Sequence, residues 1–364
     1  MPKSIPWWSP QITGKEYQLI KEVLDSNFLN DGDVTTRFEQ EIAKRVGVKH
    51  AIAVTSGTSA IFLALAGVGI GPGDEVIVPD VTFIATANAV TLTGARPVLV
   101  DIDPLSLNIS PTAVLSAITP HTKAIVPVHV SGRAVDMVAL LQIAKSHALE
   151  VIEDAAEAFM SATHGKFMGT MATAGCLSFS PNKTISTGQG GMILTDDDAL
   201  YVRLRELKDQ GRPVRGTGGD DIHRSIGYNF KLTNLQAAVG LAQLTALDGR
   251  LERQKRIYDI YARELANLPG IRFPGFNLAG GEIPQWTDAI VERRDDFDHY
   301  LLVKGIHCRR FWHSLHTQIP YLQSDDIFQN STQLMPKAIW LPSAFTLTDE
   351  DVYMICRSIR NFFQ

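Results

Sequence analysis

Lys183 stands in the run Cys176-Leu-Ser-Phe-Ser-Pro-Asn-Lys183-Thr-Ile-Ser-Thr-Gly-Gln-Gly-Gly-Met192. A short apolar stretch ends in Ser and Pro, presents one lysine, and enters a glycine-rich turn. An amine placed there, among backbone groups that approach closely, is suited to condense with a carbonyl. Three other patterns precede it. Val54-Thr-Ser-Gly-Thr58-Ser59 lies between a β-branched run and an apolar helical stretch. Small residues in that place admit an anion to free amides and to the positive end of a helix dipole. Val78-Pro-Asp-Val-Thr-Phe83 puts an aromatic just past a strand end, where it can stack on a planar ring. Val151-Ile-Glu153-Asp154-Ala-Ala-Glu157 ends an apolar run in carboxylates, which are costly to bury without a partner. Glu153 points to the opposite face of an extended chain from Asp154. Ser178, five residues before Lys183, offers a hydroxyl to an anion.

Taken singly, each pattern also fits an ordinary structural role. Lys183 reads as a solvated loop lysine, Ser56 to Ser59 as a helix cap, Phe83 as a core aromatic and Asp154 as an N-cap. Their joint order favours a site for pyridoxal 5'-phosphate. The first pattern would take the phosphate, Phe83 a ring face, and Asp154 the pyridinium N–H. That last pairing keeps the ring protonated and improves it as an electron sink.

These residues need a scaffold that brings strand ends together. Short β-branched runs at 51–54, 76–78, 97–100, 124–130, 151–152, 177–179 and 192–194 alternate with helical stretches such as 60–65 and 136–146. The runs are apolar on both faces, which predicts an α/β domain with about seven strands covered by helices on both sides. Helical spacing also marks Glu16–Leu24, Thr36–Val46, Asp198–Leu207 and one long helix from Asn234 to Leu265, with Gly240 and Gly249 as points of interruption. After Pro269 the texture is mixed and broken by prolines. The expected division is residues 1–249, an N-terminal arm and large domain, and residues 250–364, a smaller α+β domain.

Composition narrows the class. The 364 residues are 45% hydrophobic with a net charge of −5, enough for a large core and without a basic surface for nucleic acid. Cys176, Cys308 and Cys356 have no metal-ligand spacing, and their odd number suggests a reducing compartment. The N-terminus shows no secretory apolar region, and no apolar run is long enough to span a membrane. A soluble, cytoplasmic protein with neither membrane nor nucleic acid as partner is expected.

The chain resembles the sugar aminotransferases of the DegT/DnrJ/EryC1/StrS type, within the fold-type I pyridoxal phosphate enzymes. The resemblance runs nearly end to end. It covers Ile5-Pro-Trp-Trp-Ser-Pro, Ser56-Gly-Thr-Ser, Pro79-Asp-Val-Thr-Phe, Glu153-Asp-Ala-Ala, Ser178-Phe-Ser-Pro-Asn-Lys, Gly188-Gln-Gly-Gly, Gly227-Tyr-Asn229-Phe-Lys-Leu-Thr-Asn-Leu-Gln236 and Ser314-Leu-His316-Thr-Gln. Lys183 follows Asp154 by 29 residues, which also fits. The resemblance implies an aspartate aminotransferase-like fold. It implies that Lys183 forms the Schiff base and that Asp154 pairs with the pyridine nitrogen. Phe83 would cover the ring. The Thr58 and Ser59 amides and the Ser178 hydroxyl would hold the phosphate. Asn229 would reach the phosphate of a neighbouring subunit, which implies a homodimer with shared sites. His316 and Arg309 would face substrate. Where the family more often carries Gln or His against the cofactor's phenolic oxygen, this chain has Glu157. A glutamate there must carry a proton or pair with a cation.

Glu157 and the Leu315-His-Thr-Gln-Ile-Pro-Tyr321 run resemble the GDP-perosamine-forming members. The expected reaction moves an amino group from L-glutamate to C4 of a nucleotide-linked 4-keto-6-deoxyhexose, in a route to polysaccharide such as an O-antigen. Another keto sugar, an octulosonate or a cyclitol is an alternative acceptor, and a non-catalytic sensor that keeps the fold is an alternative function. His121, Lys123, His129 and Arg133 read as solvated surface groups or as further sugar-nucleotide contacts.

Overall fold

Strand ends meet because the central sheet is largely parallel. The computed structural model describes residues 4–213 and 221–364. Seven strands build the large sheet: β1 His50–Val54, β2 Glu75–Pro79, β3 Arg96–Val100, β4 Thr122–Ile125, β5 Glu150–Asp154, β6 Ala174–Ser178 and β7 Gly191–Thr195. Their order is β1-β7-β6-β5-β4-β2-β3. Pairs from β3 through β6 are parallel, and β7 runs antiparallel to both β6 and β1.

Alternate residues enter different cores, as a pleated strand requires. Ile52, Val54, Val76, Val78, Ile152 and Ile193 pack with the buried helix Gly57–Gly67. Ala51, Ala53, Leu177, Met192 and Leu194 face Phe38 and Ile42 of helix Asp33–Val46. Farther along the sheet, Ile77, Val100, Ile125 and Val151 lie under Val114 and Leu140. Both faces are covered, and β2 is buried at every position. This accounts for the continuous apolar runs.

Four further strands form an antiparallel sheet: β8 Ile271–Arg272, β9 Thr287–Val291, β10 Arg309–Arg310 and β11 Ala338–Leu341, in the order β8-β9-β11-β10. Helices Leu247–Glu264 and Asp349–Phe363 share its core. All five tryptophans gather beside this sheet: Trp7, Trp8, Trp286, Trp312 and Trp340.

Two elements differ from the sequence reading. The run expected as a strand to Val130 leaves the ladder after Ile125. Pro127 has no N–H for a ladder bond, and Ser131 (φ 53°) and Gly132 (φ 96°) then turn the chain sharply. The long helix from Asn234 is two helices, Asn234–Leu244 and Leu247–Glu264. The break falls at Thr245–Ala246, where the Thr245 hydroxyl bonds the Ala242 carbonyl at 2.7 Å. Gly240 does not interrupt the helix. It admits the Phe38 ring, which a Cβ there would meet at 2.6 Å. Among the described residues no helix is long and apolar enough to cross a membrane.

Leu63, on the helix that carries the first motif, is fully buried. Leu63→Ala is expected to lower unfolding free energy by about 2–5 kcal/mol, read by urea denaturation of the cofactor-free protein. A loss below about 1 kcal/mol would show that this helix is not part of the cooperative core.

Candidate active site

A cavity of about 280 Å³ opens where β1, β2, β5 and β6 end. Ser56 caps helix Gly57–Gly67, its Oγ accepting the Ser59 amide at 3.1 Å. Among the described residues, nothing accepts from the amides of Gly57 or Thr58. Both residues line the cavity with Ser56 and Ser178. The cradle needs glycine. A Cβ on Gly57 would stand 2.9 Å from Ser178 Cβ, and one on Gly191 would stand 2.2 Å from the Ser56 carbonyl oxygen. Ser59 departs from the expectation of an amide offered to the phosphate: its amide is held by the cap, its hydroxyl bonds Thr55 and Ser56, and it does not line the cavity. The Gly57 amide, by contrast, has no acceptor among the described residues.

Asp154, the last residue of β5, is 5% exposed and lines the same cavity. Its Oδ2 accepts the Thr86 hydroxyl at 2.8 Å and its Oδ1 the Ala156 amide at 3.1 Å. Burial raises its carboxyl above the usual range, although those two bonds and the charge of Lys183 pull the other way.

Glu157 lies one turn on, also 5% exposed. Its Oε1 accepts from Lys183 Nζ at 3.2 Å and its Oε2 from the Ser131 amide at 3.0 Å. Burial raises this carboxyl too, and the nearby Lys183 ammonium is the largest opposing influence. The Lys183 amine also lies over the Trp286 ring, 4.9 Å from its centroid.

Glu153 faces the other side of β5. It accepts the amides of Gly169, Met171 and Ala172 and pairs with His129 Nε2 at 3.0 Å. His129 Nδ1 accepts the Val135 amide, so a neutral ring carries its proton on Nε2, toward Glu153.

Phe83 is 54% exposed and forms cavity wall, as does Arg309, which lies over the Trp7 and Trp340 rings. Asn229 is exposed and away from the cavity of its own chain. His316 departs from the expectation of facing substrate. It is fully buried, with Nδ1 2.7 Å from Asp80 Oδ2 and its ring stacked on Phe328. It ties the 315–317 turn to the end of β2. His129 and Arg133 are buried and paired, with Glu153 and Asp288. Neither is a solvated surface group. His121 and Lys123 are exposed and lie outside the cavity lining.

Sequence reading missed Thr86, Ser131, Trp286, Trp312 and Trp340. Thr86 alone left a signal, three residues after Phe83, whose carbonyl accepts its amide at 3.2 Å. The others come from distant segments.

The donor set fits a phosphorylated aromatic aldehyde. Two free amides and a serine hydroxyl suit the phosphate, a buried carboxylate suits a ring N–H, and a lysine suits the aldehyde. Fold and site together define a fold-type I pyridoxal phosphate transferase. The chain belongs to the DegT/DnrJ/EryC1/StrS aminotransferase family, whose model matches residues 10–360. It is a pyridoxal phosphate-dependent aminotransferase. It is 38% identical to the GDP-perosamine synthase of Escherichia coli O157:H7, over 99% of each chain. It is 39% identical to that of Caulobacter vibrioides, over 94% of each. The crystal structure of S. venezuelae DesV superimposes with a TM-score of 0.93 at 32% identity, covering 100% of this chain and 99% of that one.

Glu157 links this site to pH. A carboxyl whose pKa is raised on folding stabilises the fold below its ordinary value of 4.5, and that contribution is lost as pH rises through the raised value. Without cofactor, Glu157→Gln is therefore expected to gain stability relative to wild type as pH climbs from 4.5 toward neutrality. Thermal melts across that range check this. Parallel curves would place Glu157 at its unfolded pKa.

Proposed function

We propose that this chain transfers an amino group from L-glutamate to C4 of a GDP-linked 4-keto-6-deoxyhexose, a GDP-perosamine-type reaction. One observation carries the reading. Lys183, Glu157 and Asp154 converge beside a free-amide cradle, in a chain alike over nearly its whole length to two GDP-perosamine synthases.

Gly57, Thr58 and Ser178 would hold the phosphate and Phe83 would cover the ring. Bound there, pyridoxal phosphate supplies an aldehyde and a conjugated ring that accepts the electron pair released when a substrate C–H bond breaks. Asp154 holds a proton at the ring nitrogen, an arrangement its burial favours because, among the described residues, the carboxylate has no cation within salt-bridge distance. Lys183 Nζ takes the proton from the substrate carbon and returns it, acting as general base and then general acid. Glu157, at 3.2 Å, can accept the proton that the lysine must shed before it attacks a carbonyl. The two half-reactions run the same steps in opposite directions. The first releases 2-oxoglutarate and the second the amino sugar.

Arg309 lies over the Trp7 and Trp340 rings, with no carboxylate within salt-bridge distance among the described residues, and would take an anionic group of the substrate. Asn229 would serve the phosphate of a second copy, so the working unit is a homodimer with shared sites. Its exposure accords with such a role. In this reading residues 1–249 carry the cofactor and 250–364 complete the substrate side. The three free cysteines accord with a cytoplasmic setting.

Lys183→Ala should bind cofactor without the borohydride-reducible adduct and lose transamination by about 10³-fold or more. Retained turnover would remove Lys183 from the mechanism. Release of 2-oxoglutarate from glutamate, screened across 4-keto sugar nucleotides, should be fastest with the GDP-linked sugar. Preference for a dTDP- or UDP-linked sugar would overturn the assigned acceptor.

A further inference from the structure

Lys183 and Glu157 are kept together by a closed circuit of hydrogen bonds. Lys183 Nζ donates to Glu157 Oε1 at 3.2 Å. Glu157 Oε2 accepts the Ser131 amide at 3.0 Å. The Ser131 carbonyl accepts the Gln285 amide at 2.8 Å. The Gln285 side chain then returns the circuit to the lysine loop. Its Nε2 donates to the Asn182 carbonyl at 3.2 Å, and its Oε1 accepts the Thr184 hydroxyl at 2.7 Å. Asn182 and Thr184 flank Lys183.

Gln285 is 2% exposed and does not line the cavity. Its orientation follows from its neighbours. Gln254 Nε2 donates to the Thr184 hydroxyl at 3.3 Å, which leaves the hydroxyl proton for Gln285 Oε1 and the Gln285 amide protons for Asn182. Arg250 bonds the Thr184 carbonyl and Trp8 the Pro181 carbonyl, but neither reaches Asn182. The residues beside Gln285 also address the site. The Trp286 ring underlies the lysine amine, and Asp288 accepts the Ser131 hydroxyl at 2.8 Å. One tetrapeptide leading into β9 thus braces Lys183 and Ser131, and through Ser131 the carboxylate of Glu157.

We infer that Gln285 is a positioning residue. It grips the Asn182 carbonyl on one side of Lys183 and the Thr184 hydroxyl on the other, so that the amine is presented to Glu157 and to an incoming carbonyl, and it touches no substrate itself. The inference rests on the proposed role of Lys183 as the carbonyl-condensing amine. A lysine side chain is long and flexible, so the direction of its amine depends on where its backbone is fixed. Misplacing a reacting group by about 1 Å can cost on the order of 10²-fold in rate.

The test uses the full chain freed of cofactor. Wild type, Gln285→Leu, Gln285→Glu and Thr184→Val are mixed with pyridoxal phosphate and reduced with borohydride. The modified Lys183 peptide is then quantified by mass spectrometry against time and pH. Wild type should label at Lys183. Gln285→Leu should label about tenfold more slowly. Thr184→Val, which removes one of the two grips, should label about threefold more slowly. Gln285→Glu should approach wild type in acid, where its neutral carboxyl can donate to Asn182, and fall toward the leucine variant as pH rises. General loosening of the loop would not give that pH dependence. Steady-state kcat should fall while KM for the sugar nucleotide stays within about twofold.

Labelling within about twofold of wild type in both Gln285→Leu and Thr184→Val would overturn the inference. So would a Gln285→Glu to wild-type ratio that does not change with pH. If the leucine variant does not fold, the other two decide the matter by the same outcomes. Wild-type protein that does not label at Lys183 would overturn the proposed function, and this inference with it.

Discussion

Two carboxylates, Asp154 and Glu157, are buried within one turn of each other at the end of β5. Neither is tolerable there without partners, because a desolvated carboxylate costs several kcal/mol. Much of the surrounding structure supplies those partners. Thr86 and the Ala156 amide serve Asp154, while Lys183 and the Ser131 amide serve Glu157. In both cases burial outweighs the partners, so each carboxyl is left above its ordinary pKa. A site in that condition is poised to take a cationic ring or to move protons, and this is the physical content of its chemistry.

The same constraint explains why the two sheets are tied together. Ser131 donates its amide to Glu157 from a backbone in the left-handed region, at φ 53°. A serine there is strained and needs reinforcement. Gly132 follows it so closely packed that a Cβ would fall 2.0 Å from the Ile283 carbonyl oxygen. The serine hydroxyl bonds Asp288 of β9 and accepts from Trp340 of β11. The smaller sheet therefore helps to fix the amide that holds the Glu157 carboxylate, and its Arg309 and Trp340 also line the cavity.

Legibility in the sequence followed the range of the interaction. Local patterns were readable: seven apolar runs became seven strands, and Ser56-Gly-Thr-Ser became a helix start on the cavity. A cap and an anion cradle share one local grammar, so the motif alone does not separate the Ser59 amide, which belongs to the cap, from the free amides of Gly57 and Thr58. The burial of His316 is hidden for a related reason. A histidine in a polar turn gives no sign that Asp80, more than two hundred residues earlier, will bury it. Nor did the glycines of the long helix reveal whether they mark a break or close packing. Gly240 is there for Phe38, a residue distant in sequence.

The sequence by itself determined the alternation of strands and helices, the placing of Asp154 and Ser178 at strand ends with Lys183 in the loop that follows, and so the cofactor class. Those properties depend on residue type and on spacing along one strand or turn, where the backbone has few choices. Only the tertiary structure decided which groups complete the site. The distance from Lys183 to Glu157, the strained Ser131, the grip of Gln285 and the tryptophan wall arise from segments separated by tens to hundreds of residues. Their meeting is set by packing of two cores, and no local pattern encodes it.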